Sequence, residues 1–243
     1  MAKRFILLAA LLGAIAVGTK PQSARSGSSG ATVSGEVTLT MANSRHIERD
    51  ASKVVVWLVP DSAFQPASAR AEQPHYRLLQ HNKRFDPALL VVPVGSVVDF
   101  PNLDPWFHNV FSLYRGKRFD LGLYQAGSVR SVSFDRPGPS YLFCNIHPEM
   151  TGVVLTVNSE FFAVSDKSGR FSLPGVPPGK YVLHVWHENA ALSSLQNAQH
   201  TIEIGGSNVK LPGISLSLDK HRANEHKNKY GQEYDPDRLK TDY

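Results

Sequence analysis

The chain reads as an all-β protein of two modest units and a polar tail, and three observations lead there. Short runs rich in Val, Ile, Phe and Tyr recur along it, separated by turn residues, which is the pattern of sandwiches and barrels. Sixteen prolines and eighteen glycines, with no long Ala/Glu/Lys/Leu run, argue against a helical bundle. The length of 243 residues exceeds the ~100–150 usual for one core, so two small domains are favoured over one large one.

The elements follow in order. Met1-Ala2-Lys3-Arg4 precedes thirteen uncharged residues, Phe5 to Val17. That run falls short of the ~20 needed to span a bilayer and suits the core of an export signal. Ala16-Val17-Gly18 sets small residues before a cleavage point, so residues 1–18 read as a signal peptide and 19–30 as a polar linker. The expected location is periplasmic or otherwise exported, with no stable membrane insertion after cleavage; an uncleaved anchor is the alternative.

Thr32–Thr40 alternates through Val33, Gly35, Val37 and Leu39, and Lys53–Pro60 contains an unbroken apolar run; both are strand signals. Residues 61–74 form a connection. Strands are then expected at Tyr76–His81, Leu89–Val94, Ser96–Phe100, Val129–Phe134, Ser140–Phe143 and Gly152–Val157. In Val129–Phe134, Val132 and Phe134 share one face and Val129, Ser131 and Ser133 the other, as a half-buried strand requires. A third block has strands at Arg170–Leu173 and Lys180–Trp186, with one more at Thr201–Ile204. Beyond Gly205 the chain reads as loop, and residues 219–243 carry six Lys/Arg, six Asp/Glu and three tyrosines. A solvated polar tail over 205–243 is the expectation.

Composition excludes several functions. A net charge of +5, scattered without a basic stripe, gives no basis for nucleic-acid binding. One cysteine cannot form an internal disulfide, a four-cysteine zinc site, an iron–sulfur cluster or a two-cysteine dinuclear copper centre.

That cysteine lies in Tyr141-Leu-Phe-Cys144-Asn-Ile-His147-Pro-Glu-Met150, between two expected strands. Cys-x2-His-x2-Met brings thiolate, imidazole and thioether within seven residues. Zinc and magnesium sites rarely use both sulfur types, whereas copper binds both in its two oxidation states. A blue-copper centre needs two imidazoles, one thiolate and a weak axial Met. The second imidazole is assigned to His108, 36 residues upstream in Trp106-Phe-His108-Asn109-Val110 and expected in a loop after a strand. Singly, a Cys or Met in a β-protein is more often buried core. A Cys144/His147 nucleophile pair is the competing use, but no motif supplies its orienting group or oxyanion site.

With these residues set out, the stretch from about Tyr76 to Asn158 resembles a cupredoxin, the Greek-key blue-copper fold of plastocyanin, pseudoazurin and amicyanin. The resemblance rests on Phe85-x-Pro, Val94-Gly95-x-Val-Val, His108-Asn109-Val110 and the amicyanin-like short loop Cys144-x2-His147-x2-Met150. It implies one type 1 copper per chain, with His108, Cys144 and His147 as equatorial ligands and Met150 axial. It also implies that Asn109 ties the two ligand loops, its amide donating toward the thiolate. Asp166-x2-Gly169-x-Phe171-x-Leu173, followed by Val176-Pro-Pro-Gly179-x-Tyr181-x-Leu183-x-Val185, is similar to carboxypeptidase regulatory-like, transthyretin-like modules. Such modules open with a Val-x-Gly-x-Val strand, which Thr32–Leu39 matches. Residues 31–66 and 159–204 are therefore expected to form one discontinuous sandwich with a cupredoxin domain, 74–158, inserted. The alternative is that the N-terminal strands extend the cupredoxin sheet.

The resemblance implies a one-electron carrier rather than an enzyme, since three strong ligands and one weak one leave no open position for substrate. A small apolar patch of Ile146, Pro148, Trp106 and Phe107 around His147 would meet a c-type cytochrome or a dehydrogenase. Related sequences carry the label methylamine utilisation protein. Copper storage, delivery or sensing without electron shuttling, and glycan or partner binding at a cell surface, are the alternatives. The remaining histidines weigh less. His184 and His187 sit three apart on one expected strand and face opposite ways, and His46, His75, His81, His200, His221 and His226 are scattered. Among them His81 and His187 are weak candidates for a domain interface.

Overall fold

The computed structural model describes residues 30–42, 46–61, 73–113, 116–219 and 227–233. The segment expected to be a signal peptide, nearly all of the expected linker, His221 and His226 lie outside the described residues. The described chain is all-β apart from one short helix. Two strands lead: β1 (Ala31–Met41) and β2 (Val55–Pro60). Next come β3 (His75–Arg77), β4 (Leu79–His81), β5 (Arg84–Asp86), β6 (Leu89–Pro93) and β7 (Ser96–Pro101). They are followed by β8 (His108–Ser112), β9 (Phe119–Tyr124), β10 (Val129–Phe134), β11 (Gly138–Phe143) and β12 (Thr151–Val157). The rest are β13 (Phe162–Val164), β14 (Arg170–Val176), β15 (Gly179–Trp186), helix α1 (Leu192–Ala198), β16 (His200–Ile204), β17 (Val209–Lys210) and β18 (Ile214–Leu218). No described helix is long and apolar enough to cross a membrane.

The middle strands make one sandwich. A sheet in the order β6-β12-β11-β8-β9 faces a second in the order β10-β7-β3. Between them lie Leu78, Leu90, Val92, Phe100, Val110, Phe134, Leu142 and Val154, together with Cys144 and Met150. In β10 the alternation read from the sequence holds: Val132 and Phe134 are buried, while Val129, Ser131 and Ser133 are exposed.

A second sandwich takes strands from both ends of the chain. Its sheets are β14-β1-β17, with β18 also pairing β1, and β13-β2-β15-β16. β1 runs antiparallel to β14, with Gly35 opposite Phe171, and β2 runs antiparallel to β15, with Leu58 opposite Leu183. Neither leading strand pairs with a strand of the first sandwich. The turn at Asp166-Lys-Ser-Gly169 needs its glycine, which has φ of 81° and packs so closely on the Val37 carbonyl that a Cβ would collide with it. Asp166 Oδ1 accepts from the N–H groups of Ser168 and Arg170, closing the turn from inside.

The two sandwiches share a third apolar layer. Val55 and Trp57 on β2 and Phe162 on β13 meet Val91 on β6 and Leu155 and Val157 on β12. Their alternate neighbours, Val56 and Leu58, or Leu90, Val92 and Val154, enter the two cores instead. Sheets covered on both faces have no polar side to present, so these strands read as continuous apolar runs rather than alternating ones. Beside this layer a cleft of about 370 Å³ opens between the sandwiches, with His187 on its wall and His81 outside it. His184 instead stacks on Trp57, ring centroids 5.1 Å apart.

Two sequence expectations need correction. His108 does not lie in a loop after a strand: it is the first residue of β8, a strand whose five residues are all buried. The mixed run His-Asn-Val-Phe-Ser hides this, because two of its polar members are turned to partners outside the run, His108 to Asp104 and Asn109 to Asp120. The polar tail does not begin at 205 either. Leu211, Ile214, Leu216 and Leu218 are buried in the second core, and β18 pairs parallel to β1, Leu216 opposite Leu39. The alternation Ile-Ser-Leu-Ser-Leu is a half-buried strand signal that the surrounding Gly and Pro residues obscured. A Leu216→Ala variant is expected to lose about 2–5 kcal/mol in urea unfolding; a solvated tail residue would lose almost nothing.

Candidate metal centre

The site is built at one end of the first sandwich by two chain segments. β8 brings in His108, and the turn between β11 and β12 brings in Cys144, His147 and Met150. That turn is short and tied to itself: Met150 N–H donates to the His147 carbonyl at 3.0 Å and Cys144 N–H to the Met150 carbonyl at 3.2 Å. Phe143, just before the cysteine, pairs with Phe111 of β8, so the two segments are neighbours in one sheet. The 35 residues between His108 and Cys144 cross the sandwich and return to the same end.

Three donors converge. Cys144 Sγ lies 3.9 Å from His108 Nδ1 and 3.6 Å from His147 Nδ1, and the two Nδ1 atoms are 3.1 Å apart. His108 and Cys144 are wholly buried and His147 is half-buried. Donors at these separations can share one ion held ~2.0–2.3 Å from each. Met150 is also fully buried, in the same core cluster as Cys144. Asn109 reaches the Cys144 loop through its main-chain amide and not through its side chain. Its main-chain N–H is directed at the Cys144 sulfur, as are those of Ile146 and His147. Its side-chain Nδ2 donates elsewhere, to Asp120 Oδ1 at 2.7 Å.

One residue absent from the sequence reading governs the geometry. Asp104, almost fully buried, accepts from His108 Nε2 at 2.8 Å. The same carboxylate takes the main-chain N–H groups of Asn82 at 2.6 Å and Lys83 at 2.8 Å. Asn82 and Lys83 form the two-residue turn of the β4–β5 hairpin, both at positive φ (55° and 53°), the primed turn that presents adjacent N–H groups together. Burial opposes charge on Asp104, but these donors outweigh it and its pKa is lowered. An ionised Asp104 keeps the proton of His108 on Nε2 and leaves Nδ1 bare toward Cys144 and His147. Asn102 shapes the intervening loop, donating to the Trp106 carbonyl at 2.7 Å and accepting from Asp104 N–H at 3.1 Å. Sequence offered a signal for this: an Asp four residues before a ligand histidine, in a loop with an Asn two residues earlier.

Without a metal, burial dominates the titration of these groups. Burial pushes the Cys144 thiol up, against the three N–H groups that favour thiolate. Burial lowers His108, with Asp104 opposing, and burial and the neighbouring His108 bring His147 down to about 4. Both rings are therefore neutral at pH 7. The donor chemistry of one thiol, two neutral imidazoles and a buried thioether fits copper.

The surface near His147 mixes apolar side chains with charge, since Glu149 and Lys83 both act on its ring. Phe107 is 49% exposed and Leu103 53%, with Ile146, Pro148 and Trp106 partly exposed beside them. Lys83 Nζ sits 4.8 Å from the centre of the Trp106 ring.

No protein-family model matches the chain, and no curated protein matches it. Among solved structures, the chain is similar to a Cu-containing nitrite reductase from Thermus scotoductus SA-01, at 23% identity and TM-score 0.35 over 41% of this chain. It spans only 25% of that reductase. A reduced amicyanin mutant aligns at 20% identity and TM-score 0.33, covering 42% of this chain and 98% of its own. A purple cupredoxin from Nitrosopumilus maritimus aligns at 24% identity and TM-score 0.31, covering 35% and 100% respectively.

The lowered histidines set an acid limit for the metal-free protein. Unfolded, each ring has a pKa near 6.5; folded, His147 has one of about 4. Between those values the unfolded chain binds the proton that the folded one refuses, so stability falls as pH drops from 6.5 toward 4. The urea midpoint of metal-free protein should decrease from pH 7 to pH 5, and decrease less in His147→Asn.

Proposed function

We propose that the protein binds one type 1 copper through its first sandwich and carries single electrons between redox partners. The observation that supports this reading most is the convergence of His108 Nδ1, His147 Nδ1 and Cys144 Sγ within 3.9 Å of one another at a buried site. His108, Cys144 and His147 would hold the ion as strong ligands, with Met150 as a weak fourth. Bound copper supplies a one-electron couple there, Cu(II)/Cu(I).

The protein's own residues prepare that site. Asp104 holds the His108 ring in the ligating tautomer. The N–H groups of Asn109, Ile146 and His147 offset the negative charge that Cys144 must take on when it loses its proton to bind metal. β8 and the tied 144–150 turn keep the donors in place, so little has to move when the oxidation state changes. Three strong ligands and a buried thioether leave no position for substrate, which favours a carrier over an oxidase or a reductase.

His147 is the most exposed of the three strong ligands; its chain neighbours Ile146 and Pro148, and Phe107 beside His108 in sequence, are apolar and at least partly exposed. A c-type cytochrome or a dehydrogenase would touch this face briefly, through a small contact area. The second sandwich, read as a carboxypeptidase regulatory-like module, acts as a scaffold clamped to the first through the shared apolar layer. The N-terminal segment 1–18, read as a signal peptide, would direct the protein to the periplasm or otherwise out of the cell.

Titration with Cu(II) is expected to give an intense blue absorption that reductant removes and oxidant restores. Cys144→Ser should abolish the colour, because the band requires the thiolate. Met150→Gln should retain copper and lower the potential. A colourless protein that takes only Cu(I), with no reversible couple, would instead mark copper storage or delivery.

A further inference from the structure

Residues 227–233 follow the last strand of the second sandwich in sequence, yet they lie on the first, beside the metal loop. Their contacts converge on Lys229. Its main-chain N–H donates to Asn145 Oδ1 at 3.0 Å, and its Nζ donates to Asp120 Oδ2 at 2.8 Å. Asn145 directly follows Cys144. Asp120, at the start of β9, holds Asn109 Nδ2 at 2.7 Å and the Gly122 N–H at 2.9 Å on its other oxygen. Asn109 directly follows His108 and turns its main-chain N–H to the Cys144 sulfur.

One lysine therefore closes a ring of contacts: Asn145, Lys229, Asp120, Asn109 and back to Cys144. The local fold is shaped to deliver it. Asn228 Oδ1 accepts from the N–H groups of Tyr230 at 2.9 Å and Gln232 at 3.1 Å, and Gly231 N–H returns to the Asn228 carbonyl at 2.9 Å. This turn presses the Lys229 side chain, only 20% exposed, against Asp120. A lysine in a merely solvated tail has no reason to give up water in this way.

We propose that residues 227–233 are a clasp and that Lys229 is a positioning residue for the metal site. From outside it holds Asn145 on the Cys144 side. Through Asp120 it holds Asn109 on the His108 side. The two segments that supply the ligands are thus locked to each other by a piece of chain from beyond the second sandwich. The functional meaning of the clasp rests on the copper reading above; its effect on Cys144 does not. Loops open locally at a frequency set by their few anchoring contacts, and a charge-assisted hydrogen bond is among the stronger of these. Loss of the clasp should therefore let the Cys144 turn open more often.

The test uses the full chain. Cys144 is the sole thiol, so its reaction with an aromatic disulfide reagent in metal-free protein reads opening of this loop alone. Lys229→Met should raise that rate about tenfold, with far-UV circular dichroism and thermal midpoint near those of the parent. Lys229→Arg, which keeps charge and reach, should restore the parent rate. Asp120→Asn should resemble Lys229→Met, and the double variant should be no faster than either, since both remove one contact. In copper-loaded protein, stripping of Cu(I) by a chelator should accelerate in the same order. Failure to take up copper with a reversible couple would sink the copper reading and leave the thiol assay intact. Equal thiol rates in parent, Lys229→Met and Asp120→Asn would overturn the clasp, as would a Lys229→Arg variant as fast as Lys229→Met.

Discussion

The architecture of the site depends on a carboxylate taken out of water. Asp104 is 2% exposed, and a bare charge there would be prohibitive. Three donors make it tolerable: two main-chain N–H groups from a primed hairpin turn and the Nε2 of a buried histidine. Each of those partners is constrained in return. The β4–β5 turn must keep positive φ at two non-glycine residues, and His108 must keep its proton on Nε2. The face that His108 offers to Cys144 and His147 follows from a contact on its opposite side. This is how outer contacts orient a ligand that they never share with the metal.

A second constraint joins the two sandwiches. β2, β6 and β12 each bury both faces, sending alternate residues into a core and into the layer between the sandwiches. An apolar layer of this kind resists separation, because parting it would expose Trp57, Val91, Leu155 and Phe162 together. The first sandwich is thereby held to a body whose strands come from both sides of it in sequence. Segment 227–233 adds a polar tie at the far end of the first sandwich, close to the ligand turn. The β12 strand thus leads from the ligand turn at one end to the shared layer along its face.

Much of this was legible from residues alone. The Cys-x2-His-x2-Met spacing, with the upstream pair His108-Asn109, names a donor set by chemical type, and ligand type is a local property. Strands such as Val129–Phe134 declared their faces by alternation. What stayed hidden had a common cause. Asp104 looks like any loop aspartate until the hairpin turn that feeds it is placed beside it. His108 reads as loop because its strand carries polar residues whose partners lie elsewhere in sequence. Leu216 and Leu218 read as tail because the strand they pair with, β1, is some 180 residues earlier, at Leu39 and Met41.

Local sequence, then, determined which atoms could serve as donors and which stretches could be strands, since softness, charge and side-chain alternation are carried by each residue and its immediate neighbours. Tertiary structure alone decided which histidine tautomer faces the sulfur, which strands bury two faces, and where Lys229 comes to rest. Those outcomes turn on desolvation and on hydrogen-bond partners supplied by distant segments, and neither exists until the chain has closed on itself.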